Sequence, residues 1–359
     1  MKRKVLIVLP ELETGGGQRM AISIANEIKA PDLQIRILVL YPPKGDILES
    51  LADECGLDVQ YLHKKSGVDL RCIVAIHQAI RAFQPDVIHA HLRVMPYLLL
   101  PMCLAGTKRR YYTVHNLAEK DAAGIRRRVL KFAFRRCRVQ PVAISALCQQ
   151  SLSETYGISK EKIPCIYGGI DVKRFSRPQT YPPAPPFRFA AVGRLSPQKN
   201  YPLMLQAFAE VHRRHPDTEL FIMGDGELRP QLERQCEALG LGSSVCFTGN
   251  VPDVERYLWS AHAYLMSSDY EGVPLTVLEA MAAGLPILST KAGGIVDVVE
   301  HLKNGLLTET GDQASLVDAM ERLVQSPDLC KQFSDYSTML ARKYSIQACA
   351  DQYQALYFK

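Results

Sequence analysis

The amino-acid sequence predicts an α/β protein built from two doubly wound, Rossmann-like domains facing a central cleft. Three observations lead there. Short apolar runs alternate with amphipathic stretches along all 359 residues, the pattern of parallel strands covered by helices on both faces. One Pro-rich segment, RPQTYPPAPP at 177–186, divides that alternation into two halves, and a chain of this length suits two domains. Charge divides as well. Residues 1–170 carry 25 Lys and Arg against 15 Asp and Glu, whereas residues 171–359 carry 18 against 22. The two halves therefore face different partners.

In the first half, strands are expected at VLIVLP, IRILVLY, DVIHAHL, RYYTVHN, VAISA and IPCIYGG. In the second they are expected at FRFAAVGR, ELFIMGD, VCFTGN, AYLMSS and PILST. Stretches such as YPLMLQAFAEVHRRH and LRPQLERQCEAL supply the covering helices. The expected division is a first domain over 1–176, a stiff Pro-rich linker over 177–186 and a second domain over 187–343. The last segment, 344–359, sets Ile346, Ala350, Tyr353 and Leu356 at helical spacing. In such a fold, ligands bind at the carboxyl ends of the strands.

The composition, 47% apolar and 22% charged, is that of a soluble globular protein. No apolar run reaches the length of a membrane span. The start, MKRKVLIVLPELETGGG, has too short an apolar stretch for a signal peptide, with Glu11 and Glu13 following at once. Ten cysteines are scattered without a CxxC pair, which fits reduced thiols in a cytoplasmic protein. No metal-ligand spacing and no G-x-S-x-G elbow occur.

Chemistry concentrates in SSDYEGVPLTVLEAMAAGLPI, 267–287. Pro274 suits a helix start, and Gly284 followed by Pro286 suits its end. The N–H groups near Leu275, Thr276 and Val277 then lack intrahelical partners and form an anion site with the helix dipole. Glu271 stands in the loop before that site, and Glu279 about 7 Å inside the helix along its axis. The spacing equally fits a dipole-favouring loop acid and a solvated helix acid.

Four further features fall at strand ends. TGGGQRM, 14–20, brings Gly16 and Gly17 to a strand–helix turn where backbone N–H groups can approach phosphate. It is not GxGxxG, so no dinucleotide fingerprint is present. VGRLSPQKN places Arg194 and Lys199 between a strand and a helix, a fork and a point charge for phosphate oxygens. MGDGELRP puts Gly224 in a tight turn that also reads as plain structure. His89, His91 and His115 lie in DVIHAHL and YTVHN, and His115 ends a strand where it can donate to a sugar hydroxyl or phosphate.

GRLSPQKN, MGDGELR, FTGNV and EGVPLTVLEAMAAGLPILSTKAGGIVDVVEHLKNGLL together resemble the donor domain of retaining glycosyltransferases of family 4, which have the GT-B architecture. TGGGQR, the VHN segment and IYGGIDVKRF resemble the same family, so the similarity spans nearly the whole chain. It implies that 1–176 is the acceptor-side domain and 187–343 the nucleotide-sugar donor domain. It also implies that the terminal helix crosses back onto the first domain. Glu271 and Glu279 match the family's E-x7-E motif, the first touching hydroxyls of the transferred sugar and the second the ribose. Arg194, Lys199 and the helix start would hold the diphosphate. Gly16 and Gly17 would approach the same phosphates, His115 the donor sugar, and the backbone around Val251 the base. Two departures, Gln18 in place of a frequent Glu and Gly168 in place of a frequent Asn, fall on the acceptor side.

The resemblance further implies retention of anomeric configuration, no metal, and a nucleoside-diphosphate sugar as co-substrate, UDP being the first expectation for the base. The acceptor would be a glycan or lipid-linked glycan of a bacterial surface polysaccharide. A GT-B sugar-nucleotide epimerase and a non-catalytic sugar-nucleotide-binding protein are the alternatives. IRRRVLKFAFRRCR, 125–138, groups Arg127, Arg128, Lys131, Arg135 and Arg138 on one helical arc, with Lys108, Arg109 and Arg110 shortly before. Such a face suits an anionic membrane surface at the inner leaflet, and equally a solvated helix side. Without aromatic interleaving or a recognised motif, nucleic acid is not an expected partner.

Overall fold

The computed structural model describes every residue except Met1, Lys29, Gln179, Thr180 and Pro183. The chain forms two compact units, Met1–Gly169 with Ile346–Lys359, and Ile170–Ser345. The first unit holds strands β1 (Arg3–Leu9), β2 (Leu33–Val39), β3 (Val59–Tyr61), β4 (Val87–His91), β5 (Arg109–Val114) and β6 (Gln140–Ala143). They pair in the order β3-β2-β1-β4-β5-β6. The second holds β7 (Phe187–Val192), β8 (Thr218–Met223), β9 (Val245–Gly249), β10 (Ala263–Met266), β11 (Ile287–Thr290) and β12 (Gly305–Thr308), in the order β12-β11-β10-β7-β8-β9. Every pairing is parallel. Each sheet thus repeats one doubly wound order, and the direction of winding switches between β1 and β4, and again between β7 and β10.

Burial explains the strand sequences. Val5 to Leu9 of β1 are all fully buried, because helices cover both faces. In the second unit Phe189, Leu220, Leu265 and Leu288 meet Leu205, Phe208, Met320 and Phe333 in one core. All ten cysteines are free thiols.

Three expectations change. IPCIYGG is not a strand: it meets β6 through the single bridge Ala143–Cys165. Two strands absent from the sequence reading, β3 and β12, are three and four residues long and sit at sheet edges, where short, half-covered pieces leave little pattern. The division falls at Gly169/Ile170, ahead of the Pro-rich segment. Residues on both sides of 179–180 are anchored to the second unit. Arg174 meets Glu255 at 2.9 Å, Trp259 Nε1 donates to the Phe175 carbonyl at 2.8 Å, Arg177 donates to the Ala261 carbonyl at 3.0 Å, and past 180 the Tyr181 hydroxyl donates to the His262 carbonyl. Gln179, Thr180 and Pro183 of the expected linker lie outside the described residues.

The helix Ile346–Phe358 belongs to the first unit. Tyr353 and Tyr357 are fully buried there. Tyr111 donates to the Leu356 carbonyl at 2.9 Å, and Arg3 to the Tyr357 carbonyl at 3.0 Å.

Candidate active site

In the second unit the site forms at the carboxyl ends of β7 and β10, the switch point. Past β7 the chain turns through Gly193 and exposed Arg194 into a short 3₁₀ turn, Pro197–Lys199. Asn200 follows in the left-handed region, φ 47°, and caps the helix Tyr201–Arg214. Past β10 the chain runs through Ser267 to Glu271 before the helix Leu275–Ala282. Hydrogen bonds join the two segments. Ser267 Oγ donates to the carbonyls of Lys199 and Asn200, at 2.9 and 2.8 Å. Gln198 Nε2 donates to the Tyr270 carbonyl at 2.8 Å, and Asn200 Nδ2 to Asp269 Oδ1 at 2.9 Å.

These bonds bring Lys199 Nζ to 2.7 Å from Glu271 Oε1, with the two side chains only 16% and 8% exposed. A charged pair this far from water is held in one geometry, since either member alone is costly there. The Glu271 loop is fixed from the other side by the turn after β11. Gly293 has φ +59°, and a Cβ there would stand 2.0 Å from the Glu271 carbonyl oxygen. Only glycine fits both the conformation and the approach.

The helix Leu275–Ala282 starts beside Glu271. Pro274 is its cap residue, one position earlier than the first turn, and Gly284 ends it at φ +71°. Leu275 and Thr276 are half-buried. The Thr276 hydroxyl accepts from Tyr264 at 2.8 Å, which fixes the side chain and leaves its own O–H proton and its backbone N–H as donors for a ligand. Glu279 lies one turn further and is buried. Gly224, after β8, packs against Gly193: a Cβ would stand 2.2 Å from the Gly193 carbonyl oxygen. The demand for glycine there comes from two loops in contact. Val251 is half-buried two residues beyond β9.

In the first unit a second group forms at the carboxyl ends of β1, β4 and β5. The helix Gly16–Glu27 begins with Gly16 and Gly17, whose N–H groups lie in its unsatisfied first turn. A Cβ on Gly17 would meet His115 Cδ2 and Cε1 at 3.3 Å and Leu92 Cδ2 at 3.0 Å, so the bare backbone lets the imidazole lie against the helix start. His91 Nδ1 is 3.0 Å from His115 Nε2. His89 hydrogen-bonds Tyr357 through Nδ1 and Thr113 through Nε2, each at 2.7 Å. Burial pushes His115 down to about 4 and, with His115 adding a little, His89 to about 3. Burial, with both neighbouring imidazoles adding to it, holds His91 well below the ordinary range. All three rings are neutral at pH 7.

Comparison with known proteins gives this arrangement a family. Residues 172–339 match the model of glycosyl transferases group 1, and residues 14–174 that of glycosyltransferase family 4. The chain belongs to these glycosyltransferase families. A Haemophilus influenzae protein known as an uncharacterized glycosyltransferase is 33% identical over 167 residues, 46% of this chain and 47% of that one. The chain spans about half the length of the curated relatives it first matches. The Escherichia coli UDP-Gal:alpha-D-GlcNAc-diphosphoundecaprenol alpha-1,3-galactosyltransferase is 23% identical over 315 residues, 80% of this chain and 79% of that one. The crystal structure of Anabaena Alr3699/HepE in complex with UDP and glucose superposes with a TM-score of 0.83 at 20% identity, covering 98% of both chains. The fold of this family member is therefore the GT-B architecture.

Within each unit, residues named from sequence come together: Lys199, Glu271 and the helix start in one, Gly17 and His115 in the other. Sequence reasoning missed Gln198, Asn200, Ser267 and Asp269, which hold the Lys199 turn against the Glu271 loop. It also missed the pairing of His91 with His115. One signal was available: His89 and His91 are two apart on a strand and so share a face.

Proposed function

We propose that the chain is a retaining, metal-independent glycosyltransferase that moves a sugar from a nucleoside-diphosphate sugar to a glycan or lipid-linked acceptor in bacterial surface polysaccharide synthesis. The observation that carries this reading is the buried Lys199–Glu271 pair at the start of the helix that holds Glu279. Cleaving a sugar–diphosphate bond builds negative charge on the leaving phosphate. The first-turn N–H groups of that helix, Lys199 and Arg194 supply preorganised positive potential for it. Glu271 has its second oxygen for a hydroxyl of the sugar, and Glu279 accepts from ribose hydroxyls. A phosphate oxygen of the leaving group takes the acceptor proton, so the new bond forms on the face the phosphate leaves. UDP as the carrier is supported by the names of the Escherichia coli relative and the Anabaena complex. In the first unit, Gly16, Gly17 and His115 offer donors to a sugar or phosphate oxygen.

The basic segment supports a peripheral site of action on the cytoplasmic membrane face. In the helix Gly124–Arg136, Arg127 and Arg135 donate to the backbone carbonyls of Ala122 and Tyr156, at 3.0 and 2.9 Å. That narrows the expected arc. Arg128, Lys131 and Arg136 stay outside without such a bond among the described residues, Arg135 is exposed as well, and Arg138 is exposed just past the helix end; beside them stand Ile125 and Phe132, 77% and 56% exposed. The adjoining helix Met95–Leu104 leaves Leu100 and Leu104 exposed. Apolar side chains among cations fit an anionic bilayer. Among the described residues no helix is long and apolar enough to cross a membrane.

The test is thermal unfolding with UDP, GDP, ADP, CDP and NAD, with and without EDTA, followed by transfer from the matching sugar nucleotides. A diphosphate at a hundred times its Kd adds about 2.7 kcal/mol. The expected result is a shift with UDP that ignores EDTA and disappears in Glu279→Ala, and transfer that falls about a hundredfold or more in Arg194→Ala. No shift with any diphosphate, or near-normal transfer by Arg194→Ala, refutes the reading. Binding without transfer to any acceptor favours the non-catalytic alternative.

A further inference from the structure

The sequence HAH puts two imidazoles on one face of β4, and the fold gives them different surroundings. His89 has both ring nitrogens bonded, to Tyr357 and Thr113, and its ring lies 4.1 Å from that of His91. His91 is fully buried and uses only Nδ1, toward His115 Nε2 at 3.0 Å. Among the described residues its Nε2 is buried without a hydrogen-bond partner. His115 is half-buried, and its Nδ1 takes no partner among them.

Between two neutral imidazoles one nitrogen must donate and the other accept. If His115 donated, the proton of His91 would sit on Nε2, an N–H buried with nothing to bond. If His91 donates, its Nε2 is a bare lone pair. A buried orphan N–H is the costlier and rarer of the two. The energetics therefore favour donation from His91 Nδ1–H to His115 Nε2.

We propose that His91 is a positioning residue that fixes the tautomer of His115, making His115 Nδ1–H a permanent donor toward an oxygen of the bound substrate, a phosphate oxygen or sugar hydroxyl. This rests on the function proposed above. His115 in the opposite tautomer would present a lone pair at Nδ1 and repel the same oxygen. Gly17 completes the device, since a side chain there would press on Cδ2 and Cε1 of His115. The other ionisable groups around the pair leave this order unchanged. His89 is bonded away from it. Asp121 accepts from the backbone N–H of His115, with Arg93 and Arg126 beside it.

The test begins with nitrogen NMR of histidine-labelled, ligand-free full-length chain at pH 7.5, His115 being assigned by its loss in His115→Gln. The expected spectrum shows His115 protonated on Nδ1 and bare on Nε2. The reverse overturns the proposal. Two variants then separate positioning from packing. Asn at 91 keeps an N–H near the place of Nδ1, whereas Asp can only accept. His91→Asn should keep the His115 tautomer and at least a third of kcat. His91→Asp should move the proton to Nε2 and lower kcat about a hundredfold, the loss of one preorganised donor, with KM changing less than threefold. Equal losses in both variants with an unchanged His115 spectrum, or wild-type turnover by His91→Asp, overturn the proposal. A wild-type chain that binds no diphosphate refutes the functional reading instead, and the spectrum still decides the tautomer.

Discussion

The Lys199–Glu271 pair can be taken apart in three variants: Lys199→Met, Glu271→Gln and both together. At 2.7 Å and an effective dielectric of 20, the Coulomb attraction is about 6 kcal/mol, and much of it is offset by the desolvation of both groups. Removing Lys199 alone leaves a carboxylate that is 6% exposed without its cation. That should cost about 3 kcal/mol, the low end for a broken buried pair, because the lysine side retains some contact with water. Glu271→Gln keeps an amide oxygen for Lys199 and should cost about 1 to 2 kcal/mol. The double variant should cost less than the sum, with a coupling of about 1 to 3 kcal/mol. The only tryptophan, Trp259, lies in the second unit, so its fluorescence follows the melting of that unit alone. For a domain of this size, 3 kcal/mol corresponds to a fall in Tm of about 6 to 12 °C. Additive effects, with coupling under about 0.5 kcal/mol, would refute the claim that the two charges hold each other in place. Transfer provides the second readout. It should fall about a hundredfold or more in all three variants, the double included, because regained stability restores neither charge.

Gly293→Ala should destabilise the second unit by more than about 1 kcal/mol and abolish donor binding, since the new methyl would displace the Glu271 carbonyl. Thermal melting and UDP titration check this. Stability of the first unit should fall as the pH drops from 7 to 5. The folded imidazoles lie below the ordinary value of 6.5, so the unfolded chain takes up protons first. His89 alone accounts for about 2 kcal/mol. Asp121, raised to about 6 by burial, works the other way by about 1 kcal/mol. Denaturant unfolding followed by tyrosine circular dichroism reads the sum, and a flat profile would contradict it. Replacing Ile125 and Phe132 by Glu should abolish sedimentation with anionic vesicles and leave transfer to a soluble acceptor unchanged. Replacing Arg128, Lys131 and Arg136 should weaken sedimentation most at low salt.

Much of this was legible in the sequence because burial on both faces writes a strand as an unbroken apolar run. β1, β7 and β10, the strands at the switch points, were all read for that reason, and the residues at their ends followed. Two of the four edge strands were missed. β6 and β9 were read, whereas β3, three half-buried residues, and β12, which opens on a glycine, have partners on one side only and carry no long apolar run. The Pro-rich segment misled because composition reports stiffness and says nothing of Arg177 and Tyr181, whose hydrogen bonds tie it to the second unit. Gln198 and Asn200 contact Tyr270 and Asp269 across some seventy residues, and no local pattern marks such a bond. His91 was seen as one of a group, but its role depends on which ring nitrogen lacks a partner, a property of the packed interior.

The first unit is assembled from two stretches of chain, with the whole of the second unit lying between them in sequence. The second unit is one continuous run and can close its core as soon as it is made. The first must wait. Until Ile346–Phe358 arrives, His89 lacks Tyr357 and the aromatic bed beneath the histidines stands open to water. The order of synthesis is thus the reverse of the order of completion: the half that is made first is finished last, and a chain carrying a complete second unit can exist before its histidine site is sealed.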